Sequence, residues 1–143
     1  LGFGCLGAGT GFVHINAKGD VEPCAFCHYA DANIYDVSLA DALRSPFFRR
    51  FRQAMPFSGN PLRGCPLMNR PDILETVVEE TGARSTHLRS PETVGQLAEK
   101  TLPAAAAWRP VADRLYAGYS AEKKRNYRSL LRYLNFKKRF SDR

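Results

Sequence analysis

The stretch FVHINAKGDVEPC, residues 12–24, decides how this chain is read. Phe12 to Ile15 is a β-prone run, Asn16 to Asp20 is rich in turn formers, and Val21-Glu22 is a second short run. The segment therefore reads as a hairpin, with Gly19 suited to a left-handed turn position. Pro23 has no N–H for a ladder and ends the second strand, so Cys24 is delivered just past it, in a turn where a ligand thiolate belongs. Cys27 follows after two intervening residues, a spacing at which both sulfurs can turn to one centre. With Cys5 and Cys65 the chain has four thiolates, the number that either a cubane iron–sulfur cluster or a tetrahedral zinc requires. Count alone does not separate these two. One close pair joined by two remote cysteines leans toward a bulkier cluster wrapped by separate loops, with Phe26 and Tyr29 as its apolar screen and Pro66 following Cys65.

Outward from the hairpin the pattern turns helical. Ser38 with Asp41 marks a helix start, and Ser45-Pro46 restarts it. There Phe47, Phe48 and Phe51 form the core side, while Arg49, Arg50 and Arg52 form a solvated face. Residues 55–66 read as a loop that ends at Cys65. Pro71, Asp72, the apolar Ile73, Leu74, Val77 and Val78, and Gly82 as a stop predict one amphipathic helix. Ser90-Pro91-Glu92 opens another, interrupted at Pro103 and Pro110, and Ser120 starts the last, with Tyr127, Leu130, Leu131 and Leu134 on its apolar stripe. Gly7 to Gly11 is glycine-rich but precedes a strand and lacks the lysine of a phosphate loop, so it reads as a flexible approach to the metal.

The net charge of +7 is not evenly spread. Residues 1–89 balance, with nine Lys or Arg against nine Asp or Glu, whereas residues 90–143 hold twelve basic against five acidic. Lys123, Lys124, Arg125 and Arg128 read as a solvated helix face, and nucleic-acid binding is not expected of them. No apolar run approaches the ~20 residues that span a bilayer, so no membrane is expected. Cysteines without an export signal point to a reducing, cytoplasmic setting. The opening Leu1 reads as a cut inside a longer protein. His14 reads as structural, His28 as a residue beside the metal or at the surface, and Asp20, Glu22, Asp31 and Asp36 give no acid–base pair, so no hydrolase is indicated.

The order of these features resembles a known family, the C-terminal auxiliary-cluster region, SPASM or the shorter Twitch, of radical S-adenosylmethionine proteins. C-x13-G-x4-C at Cys5, Gly19 and Cys24 falls within the opening motif of that region, and residues 12–24 look like its cluster-bearing hairpin. The segment IYDVSLADALRSPFFRRFR, residues 34–52, looks like its helical part, leading to GCPL with Cys65. The resemblance covers about residues 1–75. A full two-cluster region would continue with C-x2-C-x5-C-x3-C, which Cys27 does not, so one cluster is the most these cysteines can hold. The C-x3-C-x2-C motif of the catalytic cluster is not in this sequence, so the chain is not expected to cleave S-adenosylmethionine by itself.

The fold expected is α+β, with residues 1–70 a hairpin-centred cluster-binding domain and residues 71–143 a helical, basic extension. The resemblance implies one [4Fe–4S] cluster on Cys5, Cys24, Cys27 and Cys65, serving electron transfer or active-site shaping. Its partner is then a radical S-adenosylmethionine barrel upstream in the same chain, where that cofactor binds. An unligated Cys65 leaves an open iron for substrate. The competing reading is a structural zinc module whose basic tail binds nucleic acid or an acidic protein.

Overall fold

The computed structural model describes residues 5–141, with the side chains of the last helix described through Leu130 and at Tyr133. Strand β1 (His14–Ile15) pairs antiparallel with β2 (Val21–Glu22), in a register that sets His14 opposite Glu22 and Ile15 opposite Val21. Asn16 shapes the turn between them, because its Oδ1 accepts the N–H groups of Lys18 at 2.9 Å and Asp20 at 3.1 Å. Gly19 there has φ +83°. On the other edge of β2, the Val21 N–H donates to Ala32 O at 3.0 Å and the Ile34 N–H to Gly19 O at 2.9 Å. The predicted hairpin thus forms. Strand β3 (Tyr29–Ala30) takes an antiparallel partner the sequence did not announce, β4 (Arg84–Ser85).

The helices follow their caps. Ser38 accepts the Asp41 N–H at 3.1 Å to start α1 (Leu39–Ala42), and Ser45 accepts the Phe48 N–H at 3.3 Å to start α2 (Pro46–Ala54). Phe47, Phe48 and Phe51 of α2 are buried as expected, and Phe51 meets Phe57 edge-on with ring centroids 5.2 Å apart. Burying each ring contributes on the order of 1.5–3 kcal/mol, and an aromatic pair adds about 0.5–1.5 kcal/mol. The arginine face is not uniformly solvated. Arg49 is exposed and Arg50 pairs with Glu80, but Arg52 turns inward and donates to Ala8 O at 3.0 Å and Leu43 O at 2.8 Å.

A 3-10 turn (Pro61–Arg63) within the expected loop leads to α3 (Pro66–Asn69) and α4 (Pro71–Thr81), which buries Leu74 and Val77 and stops at left-handed Gly82. One core joins Phe47, Phe48 and Phe51 to Leu74, Val77, Ala83 and Val94.

Helix α5 (Val94–Ala117) corrects the reading of residues 90–117. It begins not at Ser90 but with a capping box between Thr93 and Gln96, and it runs through Pro103 and Pro110 without a break. Each proline removes one helical hydrogen bond, but the helix is pinned on both sides of Pro103: Thr101 Oγ1 donates to Leu67 O at 2.7 Å and Trp108 Nε1 to Leu62 O at 2.8 Å. In α6 (Ala121–Ser141) Tyr127 is buried, Lys123, Arg125 and Arg128 are exposed, and Lys124 is half-buried over the Tyr116 ring. Leu131 and Leu134 lie outside the described side chains. Short antiparallel strand pairs followed by helices make the fold α+β. Among the described residues no helix is long and apolar enough to cross a membrane.

Candidate metal centre

Two loops and one helix start carry the cysteines. Cys5 opens a coil in which the Gly11 and Phe12 N–H groups return to Leu6 O at 2.8 and 3.1 Å, so the glycine run is a hydrogen-bonded turn and not a loose approach. The Ala8 N–H donates to Pro23 O at 2.9 Å, which fastens this coil beside Cys24. Cys24 and Cys27 close a tight turn through a Cys27 N–H to Cys24 O bond of 3.0 Å. Cys65 stands just ahead of Pro66, at the N-terminus of α3, and its carbonyl accepts the Asn69 N–H at 3.0 Å. Cys27 is fully buried, and Cys5, Cys24 and Cys65 are half-buried against the core.

Cys5, Cys24 and Cys65 all pack against the core that contains Cys27. Burial pushes the Cys27 thiol well up, and the proximity of Cys24, Cys5 and Cys65 pushes it further. Burial also raises Cys5, to about 11, with Cys65 and Cys24 adding to the rise while the Gly7 N–H, donating to the sulfur, opposes it. Cys24 is raised by burial against the N–H groups of Phe26 and Cys27. Four thiols that would repel one another as thiolates, in a desolvated setting, suit a cationic centre that neutralises them. The donor set, all sulfur and four in number, fits an iron–sulfur cluster. Among the described residues, no three His, Cys, Asp or Glu side chains are drawn together as around a single metal ion.

The apolar screen divides. Tyr29 is 3% exposed, lies within electrostatic reach of Cys27, and donates its hydroxyl to Glu92 O at 3.0 Å. Phe26 is 76% exposed and screens nothing, because the turn from Cys24 to Cys27 points it outward.

Behind the turn lies a polar layer that reading the sequence left without a role. Glu22 is wholly buried, with Oε2 at 2.7 Å from His14 Nδ1 and Oε1 at 3.1 Å from the Asn16 amide that donates to it. His28 Nδ1 lies 3.5 Å from Glu22 Oε1, and the Thr86 hydroxyl donates to that same oxygen. Burial raises the Glu22 carboxyl, but Thr86, His14 and Asn16 as donors and the charge of His28 outweigh it, leaving the group below the usual carboxylate range. Asp20 is similarly buried and is held low by Arg84, Asn33 and Asn16 against the same opposing burial. The hairpin register already sets His14 opposite Glu22, so that pair was discoverable from the sequence. Nothing local in the sequence pointed to Thr86.

A family model for the iron–sulfur cluster-binding domain called SPASM matches residues 5–66, from Cys5 to one residue past Cys65. This segment is similar to the SPASM domain. All four cysteines of the chain fall within it. No curated protein and no solved structure matches the chain. The matched family binds an iron–sulfur cluster, and the Cys5 coil, the Cys24–Cys27 turn and the α3 N-terminus are the parts of the matched segment that carry sulfur here.

Proposed function

We propose that Cys5, Cys24, Cys27 and Cys65 hold one [4Fe–4S] cluster, and that the chain is the auxiliary-cluster region of a radical S-adenosylmethionine protein. The observation that carries this is that all four cysteines fall within the SPASM match and meet at one core, which contains Cys27 and against which Cys5, Cys24 and Cys65 pack. A bound cluster supplies one-electron chemistry. The chain's own residues do the rest: the Gly7 N–H donates to the Cys5 sulfur, and the N–H groups of Phe26 and Cys27 donate to that of Cys24, an arrangement that favours the reduced, more negative state. Tyr29 and the phenylalanines of α2 exclude water behind Cys27. With all four cysteines engaged no iron is left open, which suits electron transfer or the shaping of a neighbouring active site. S-adenosylmethionine and a catalytic cluster would belong to a barrel domain upstream in the same protein, in a reducing, cytoplasmic setting.

The test is anaerobic purification and reconstitution of the full chain. About four irons and four acid-labile sulfides per chain, with a broad visible charge-transfer band, are expected. Colourless protein with one tightly held zinc would overturn the proposal.

A further inference from the structure

Residues 84–87 lie beyond the SPASM match, yet they pack against the turn that carries two of the cysteines. Arg84 forms an ion pair with buried Asp20 at the hairpin end. The His87 ring meets the His28 ring edge-on, with centroids 5.8 Å apart. Between them Thr86, itself buried, makes two bonds that diverge. Its backbone N–H donates to His28 O at 2.9 Å, directly after Cys27, and its hydroxyl donates to Glu22, two positions before Cys24. One residue therefore holds both flanks of the Cys24–Cys27 turn. The β3–β4 pairing sets Thr86 at that height, since Tyr29 faces Ser85 in the register.

We propose that Thr86 is a positioning residue that clasps the Cys24–Cys27 turn against the hairpin, so that these two sulfurs are presented as a pair. It deepens the reading of the four cysteines as cluster ligands, and one arm of its test rests on that reading while the other does not. Thr86→Val keeps the shape of the side chain but takes a donor from the buried Glu22 carboxylate. Thr86→Ser keeps the donor.

The first arm uses the full chain, reduced and metal-free, with iodoacetamide as the probe and alkylation resolved at each cysteine by mass spectrometry. Thr86→Val is expected to speed alkylation of Cys24 and Cys27 on the order of tenfold relative to Cys5 and Cys65, the scale of a lost hydrogen bond to a charged group. Thr86→Ser should track the unaltered chain. A rise that is uniform over all four cysteines, or no rise, overturns the proposal, because a merely structural role would loosen all four alike. If Thr86→Val is recovered only unfolded, Glu22→Gln weakens the same bond and is read in the same way. The second arm loads the full chain with iron and sulfide and follows iron loss to a chelator, expected to be roughly tenfold faster in Thr86→Val and unchanged in Thr86→Ser. Equal rates for the two variants overturn the proposal. An unaltered chain that takes up no iron and sulfide would remove the cluster reading and leave the alkylation arm to decide the role of Thr86.

Discussion

Replacing Gly19 by alanine sets a methyl group where the hairpin has no room for one. At φ +83° the backbone is left-handed, which costs an L-residue roughly 1–2 kcal/mol. The added carbon would lie 2.7 Å from both Asn33 Oδ1 and Tyr35 Cε2. Tyr35 is 79% exposed and its ring can swing away. Asn33 is tied: its Oδ1 accepts the Tyr35 N–H at 2.9 Å, and its amide donates to Lys18 O at 2.8 Å and to Asp20 Oδ1 at 3.0 Å. Disturbing that network adds about 1–2 kcal/mol, so Gly19→Ala should cost about 2–4 kcal/mol in all. Two other glycines separate the contributions. Gly82 has φ +67° with open space around it, and alanine there should cost only the backbone share of about 1–2 kcal/mol. Gly59 has neither a positive φ nor a neighbour within 4 Å, and alanine there should stay within about 0.5 kcal/mol of zero. Urea denaturation of the three variants, with the slope checked for constancy, measures the series. A Gly19→Ala variant no worse than Gly82→Ala would refute the steric part, and a Gly59→Ala variant as damaged as Gly19→Ala would refute the whole account.

Serine at Cys24 or Cys27 should abolish stable cluster assembly, because a hard oxygen is a poor substitute for thiolate at iron, and Cys5 and Cys65 should behave alike; iron content or a visible band unchanged in either of the latter would remove it from the ligand set. Asp20 has a folded pKa below its unfolded one, so its contribution to stability is present above about pH 4 and is lost as pH falls through the folded value. Melting temperature against pH should therefore drop less steeply in acid for Asp20→Asn than for the unaltered chain, and parallel curves would count against this. Deleting residues 120–143 should leave iron and sulfide content unchanged and lower the melting temperature by a few degrees, with binding to random RNA weak and lost as salt rises. Binding that withstands moderate salt and disappears with the tail would instead assign function to the basic helix.

Legibility followed the range over which each feature is determined. The hairpin, the restart at Pro46 and the stop at Gly82 were readable because turn and cap chemistry lies within four or so residues of its effect. Strand β4 was not, since Arg84-Ser85 is too short to alternate and exists through its pairing with β3. Pro103 and Pro110 signal a break by local rules, but contacts of Thr101 and Trp108 with the segment around α3 hold the helix across it. Arg52 is like its neighbours in composition, and it turns inward through acceptors on other segments, Ala8 O of the Cys5 coil and Leu43 O at the end of α1. For the site, the cysteines were visible from spacing, while the carboxylates behind them acquire a role from partners as remote as Thr86.

The bond from Thr86 to Glu22 joins positions 64 apart in the chain. At ~5–20 residues per second a ribosome needs roughly 3–13 s to make that interval. For all but its first few residues Cys5, Cys24 and Cys27 have already been made, while the clasp that closes over their turn has not. Iron delivered in this window meets an open turn, and oxidant arriving in it finds thiols without their cover. Slowing translation between codons 24 and 86 lengthens that exposure without changing one atom of the finished protein.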